Sequence, residues 1–136
     1  MTGVTKYDNI QEVTIPQVEL VLYREANGSV PLRDWLDRLP VKVREKCLVT
    51  LERLESLGNE LRRPIADYLQ DGIYELRVHF RNTNYRMLYF FAGRRIVVVS
   101  HGLIKEQRVP AKEITLAEKR RQAFLDDPRT HTFVPE

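Results

Sequence analysis

Residues 73–105, IYELRVHFRNTNYRMLYFFAGRRIVVVSHGLIK, constrain this chain more than any other stretch. Tyr74, Leu76, Val78 and Phe80 alternate with Glu75, Arg77, His79 and Arg81, the period of two that a strand with unlike faces requires. Tyr85, Met87, Tyr89 and Phe91 then alternate with Arg86, Leu88 and Phe90. That segment is apolar on both sides except at Arg86, which predicts a central strand. Asn82-Thr83-Asn84 and Ala92-Gly93-Arg94 are links of hairpin length, with Asn and Gly able to take positive φ. Residues 96–99 are β-branched throughout and suit a buried strand. The pattern predicts a three-stranded antiparallel meander, with basic side chains where a core strand should have none.

With 136 residues the chain is long enough for one domain with a single core. No apolar run reaches the length of a membrane span, and the N-terminus lacks the apolar stretch of a signal peptide. A single cysteine, Cys47, excludes an internal disulfide and disfavours a zinc site. These features point to the cytoplasm. The net charge of +3 is unevenly spread: residues 72–121 carry 11 Lys/Arg against 4 Asp/Glu, and both flanks are mildly acidic. A basic half of this kind implies a polyanionic partner for the sheet, with a solvated arginine-rich surface as the alternative.

Along the chain, residues 1–16 read as an extension ending at Pro16, 17–126 as the domain and 127–136 as a flexible tail that Phe133 and Val134 could fold back. Val18, Leu20 and Leu22 alternate with Glu19, Val21 and Tyr23, predicting an edge or near-edge strand. Pro31 opens a short helix with Asp34 in its first turn and Trp35, Leu36 and Leu39 on its buried side; Pro40 stops it. A longer helix over 41–57 carries the stripe Val43, Cys47, Leu48, Leu51 and Leu54, which makes Cys47 a small buried apolar residue, and Gly58-Asn59 ends it. Residues 59–71 read as a linker. Pro110 opens a last helix with Ile114, Ala117, Arg121 and Phe124/Leu125 inward, ended by Asp126-Asp127-Pro128.

Arg77, His79 and Arg81 share one face of a strand by parity, Arg86 follows the turn on the next strand, and Lys105 follows the third. Such side chains on neighbouring strands repel each other unless something negative offsets them. A phosphodiester fits, because guanidinium groups bind phosphate oxygens in bidentate fashion and stabilise charge in a pentacovalent transition state. RNA carries its own nucleophile, the 2′-hydroxyl, so positioning plus proton transfer can cut it without metal or cofactor. His79 or His101 could move either proton. Arg81, His101, Arg108 and Lys112 are further candidates for holding the RNA. Two structural alternatives stand beside this reading: Arg77 paired with Glu75 or Glu106, and His101 as a satisfied, semi-buried histidine. Tyr85 and Tyr89 lie opposite Arg86 and read as core. The sequence has no glycine-rich phosphate loop, nucleophile elbow or His/Cys ligand set.

Several segments, in order, carry a resemblance: residues 71–77 (DGIYELR), 84–91 (NYRMLYFF), 101–105 (HGLIK) and 110–114 (PAKEI) with Ala117 and Arg120-Arg121, preceded by 30–36 (VPLRDWL) and Leu39-Pro40. Over roughly residues 17–121 the chain resembles the phage-derived HigB-like branch of the RelE/ParE toxin superfamily. The resemblance implies an α+β, RelE-like fold: an antiparallel or mixed sheet of about four strands, two helices in the N-terminal half and one at the C-terminus. It implies a type II toxin, either a ribosome-dependent mRNA endonuclease or a gyrase-directed inhibitor of ParE type, neutralised by a cognate helix-turn-helix antitoxin. An RNA-binding relative without activity is a further alternative. By motif, Arg77 and His79 fall where RelE-like nucleases place two strand lysines. Arg86 falls on their phosphate-stabilising arginine, and Lys105 near the arginine that acts toward the leaving group. The chain departs from the pattern at His79, in lacking a tyrosine in the final helix, where Lys112 and Glu113 stand, and in its extra N-terminal residues.

Overall fold

The structure, a computed structural model, describes residues 17–104 and 107–135. Its elements in order are β1 (Glu19–Tyr23), α1 (Pro31–Asp37), α2 (Val41–Leu57) with a 3-10 turn (Gly58–Glu60), β2 (Ala66–Gln70), β3 (Ile73–Phe80), β4 (Thr83–Ala92), β5 (Ile96–Ile104), α3 (Ala111–Asp126) and β6 (Thr132–Phe133). The described strands form one six-stranded sheet in the order β2-β3-β4-β5-β1-β6. All neighbours are antiparallel except β1 and β5, which run parallel. The class is α+β as expected, with three α-helices among the described residues, but the sheet they form has six strands rather than about four.

Strand parity divides the core. Leu76, Val78, Tyr85, Met87, Tyr89, Val97 and Val99 face α1 and α2, together with Leu32, Leu36, Val43, Cys47, Leu51 and Leu54. Ile73, Leu88, Phe90, Val98 and Leu103 face the other way, onto Ile114, Ala117 and Phe124 of α3. Burial pushes the Cys47 thiol up to about 11, so the cysteine is an unreactive part of the core. Leu48 and Leu125, expected inside, are exposed. At 3.6 residues per turn each sits about 100° round from its buried neighbour, beyond the narrow stripe that the sheet covers.

Two more expectations change, and one is met. Residues 59–71 are not simply a linker, since β2 lies within them as a five-residue edge strand. One of its edges meets water, which weakens the alternation that marks a strand in sequence. β1 is the near-edge strand, as one of the two expected placements had it: it lies between β5 and the two-residue edge strand β6, because the C-terminal tail returns to the sheet. Arg24 donates from Nε to the Thr130 carbonyl, His131 donates from Nδ1 to the Arg24 carbonyl, and the His131 ring stacks on Tyr23 at 5.0 Å. Finally, the first hairpin turns at Arg81-Asn82, one residue earlier than expected, with Arg81 at φ 56°. Arg81 therefore leaves the face of Arg77 and His79, and its guanidinium lies 5.2 Å from the Phe80 ring centroid.

Gly102 of β5, opposite Met87, lies against the indole of Trp35 from α1, and a Cβ there would clash with the six-membered ring. The glycine is a matter of space, since it lets α1 dock on the sheet. Gly102→Ala is expected to cost about 1–3 kcal/mol through overpacking. Trp35 is the only tryptophan in the chain, so the variant's fluorescence should report its displacement toward water alongside a lower denaturation midpoint.

Candidate functional site

β3 and β4 bring Arg77 directly opposite Arg86, with His79 opposite Asn84 and Glu75 opposite Leu88, all on the α3 side of the sheet. The two guanidinium groups share one carboxylate. Arg77 donates from Nε and Nη2 to Oε2 of Glu75 at 3.0 and 2.9 Å, and Arg86 donates from Nη1 to Oε1 at 3.0 Å. A second bond from Arg77 Nη2 reaches Asp67 of β2 at 2.9 Å. Asp67 is also held by Arg63, whose hydrogen bond is the main influence keeping the carboxyl below its usual range, with the charge of Arg77 adding to it.

Glu75 is 1% exposed, Arg86 12% and Arg77 38%. A carboxylate this deep costs several kcal/mol to desolvate and is tolerated only when paired and hydrogen-bonded. The pairing with Glu75 anticipated as an alternative for Arg77 is thus present, and it extends to Arg86. One anion holds two cations side by side and offsets the repulsion between them. Among the described residues the compensation is partial, since Arg63, Arg77 and Arg86 face Asp67 and Glu75. The buried Arg86 Nε has no hydrogen-bond partner among the described residues.

His79 is exposed at the open end of this block. Its Nδ1–H donates to Asn84 Oδ1 at 2.8 Å, so in the neutral ring the lone pair is on Nε2, the tautomer a general base requires. Arg108 and Lys112 are exposed, Lys112 on the first turn of α3. Lys105 lies outside the described residues.

His101 lies elsewhere, buried away from the open face, in the place of the satisfied, semi-buried histidine that was one of its two readings. A bulge in β5 sets Ser100 and His101 together opposite Leu88, so consecutive residues point to the α3 side. Arg120 Nη1 donates to Ser100 Oγ at 3.4 Å, the Ser100 hydroxyl donates to His101 Nδ1 at 2.7 Å, and His101 Nε2–H donates to Glu113 at 3.0 Å. Arg120 also pairs with Glu25 at 2.7 Å. This chain needs a neutral imidazole, and burial, followed by the Arg120 charge, lowers the His101 pKa against the opposing pull of Glu113. His101 is a structural histidine that fastens α3 to the sheet. Sequence reasoning missed the bulge, Ser100 and Arg120. The juxtaposed Ser-His pair in a β-branched run was the available signal. Among the described residues no group of His, Cys, Asp and Glu is placed to hold a metal ion, and no helix is long and apolar enough to cross a membrane.

The chain is therefore an α+β domain whose mixed sheet presents a carboxylate-tethered arginine pair beside an exposed histidine. The model of the family described as Phage derived protein Gp49-like (DUF891) matches residues 34–122, a span running from α1 into α3. The chain belongs to that phage-derived Gp49-like family. A search of curated proteins finds no match.

Two outcomes follow from these geometries. Arg86→Ala removes the buried partner of Glu75 and is expected to cost about 3–5 kcal/mol in urea denaturation, against about 1 kcal/mol for the more exposed Arg77→Ala. For His101 the folded pKa lies below the unfolded value of about 6.5, so the unfolded chain binds more protons in that interval. The stability contributed by neutral His101 is present above pH 6.5 and is lost as the pH falls from there toward the folded pKa. Between pH 7.5 and 5, the wild type should lose more stability than His101→Gln in paired denaturation curves.

Proposed function

We propose that this protein is the toxin of a type II toxin–antitoxin pair, within the RelE/ParE superfamily, and that it cuts mRNA on the ribosome without metal or cofactor. Membership of a phage-derived, toxin-like family supports the toxin reading. The observation that carries the chemistry is the block of Arg77, Arg86 and His79 on one sheet face, fixed by Glu75 and Asn84. In this reading Arg86 and Arg77 bracket a phosphodiester and stabilise the charge on its oxygens as phosphorus becomes five-coordinate. His79 Nε2 withdraws the 2′-hydroxyl proton while the 2′-oxygen attacks phosphorus. The bond to the 5′-oxygen breaks, that oxygen takes up a proton with help from Lys105, and the products are a 2′,3′-cyclic phosphate and a 5′-hydroxyl. The setting is the cytoplasm, and the neutralising partner is a helix-turn-helix antitoxin.

The shared Glu75 also favours a second reading. It spends part of the positive charge internally, which suits a non-catalytic inhibitor of ParE type or an RNA-binding relative without activity. Induced expression in bacteria separates these. The nuclease reading expects growth arrest with cleaved transcripts, and His79→Ala, exposed and outside the buried ion pairs, should slow cleavage by about 10²-fold or more at unchanged stability. Growth arrest with intact transcripts and inhibited supercoiling indicates the gyrase-directed reading. Salt-sensitive RNA binding without cleavage indicates the inactive relative.

A further inference from the structure

β3 is paired on both sides for only part of its length. β2 accompanies it through the Ala66–Leu76 pair, and the last bond on that side runs from the Arg77 amide to the Ile65 carbonyl at 2.7 Å. Over residues 78–80 no described strand continues alongside. Hydrogen-bonding directions alternate along a strand, so the residue two beyond Arg77, His79, turns its N–H and C=O to this open side. A groove of about 420 Å³ follows the edge. Arg77 and His79 from one sheet face line it together with Val78 and Phe80 from the other, an arrangement that requires the groove to run along the strand's edge.

The opposite wall is the outer side of α2, where Lys42, Lys46 and Arg53 outnumber the single acidic residue Glu45 and Val49 is 55% exposed. A second groove of about 470 Å³, sharing Lys42 and Phe80, continues over Val41, Val43 and Tyr85. From Lys42 to Arg53 the helix spans about 17 Å, the length of about five extended residues. Outward backbone groups, an apolar floor and a cationic wall are together what a strand with acidic residues on one side and apolar ones on the other would complement. A nucleic-acid backbone would use the cations but not the strand's backbone groups.

We infer that this edge groove binds an extended acidic segment of a partner protein, which adds to the sheet beside β3 in line with β2. The bound segment would lie over Arg77 and His79 and shield them. The inference does not depend on RNA cleavage, and its test does not measure cleavage. The full-length protein is titrated with a fluorescein-labelled ten-residue peptide of alternating Glu and Val, followed by anisotropy, and in parallel with a ten-nucleotide uridine RNA. The peptide should bind in a salt-sensitive manner and protect the His79 amide from exchange. Binding should weaken at least tenfold in the variant carrying Lys46→Glu and Arg53→Glu, both at exposed positions of α2, and should also weaken when alternate peptide amides are N-methylated. Absent peptide binding, equal affinity for the charge-reversed variant, or indifference to N-methylation overturns the inference. RNA binding that is lost on charge reversal while the peptide fails to bind overturns it in favour of a nucleic-acid groove.

Discussion

The site depends on one buried carboxylate. Glu75 stands on the apolar α3 side of β3, where an unpaired anion would be prohibitively costly, and it is tolerated because guanidinium groups from two neighbouring strands converge on it. The dependence is mutual. Arg77 and Arg86 sit directly opposite each other, and like charges in register destabilise a sheet unless an opposite charge intervenes. The ion pairs thus lock the register of the meander and set the orientation of the two arginines. For a site that must hold a phosphate in a fixed pose, such tethering contributes preorganisation at the expense of some positive potential.

The same sheet face holds a second polar cluster with a different task. The Arg120–Ser100–His101–Glu113 chain is directional, each donor meeting one acceptor, and it ties the first turns and the middle of α3 to β5. That helix starts after Pro110 without a side-chain cap, so its N-terminal end has little local reason to hold. The His101–Glu113 bond supplies part of the missing constraint. The sheet face is thus divided into a buried polar anchor under α3 and a more open arginine–histidine block toward the β3–β4 turn.

Much of this was legible in the sequence, and the failures have physical causes. The alternation over 73–91 placed Tyr85, Met87 and Tyr89 in the core, opposite Arg86, and put Arg77 and His79 on one side, as a strand's period requires; Arg81, grouped with them by parity, left that face because the turn begins one residue early. The span of α2 followed from its stripe and from Gly58, which takes φ 56° at the helix end. β2 and β6 escaped because short edge strands need little apolar character, and a two-residue strand has no periodicity at all. Ser100 and His101 share a direction only because β5 bulges, and a bulge erases the parity on which such inference rests. Glu75 was visible as a partner for Arg77, but its pairing with Arg86 as well depends on register between strands, which a sequence does not state.

The parallel pairing of β1 with β5 has a consequence for how the chain is made. Glu19 emerges from a ribosome long before Ile96, its register mate, and the final neighbour of β1 arrives only with Thr132 and Phe133. Until residues 96–99 are made, Leu20, Val21 and Leu22 lack their parallel neighbour, and closure of the sheet waits on contacts far apart in sequence. Completion of the sheet therefore waits on residues 132–133, so a product truncated before them would leave β1 with an unsheltered margin.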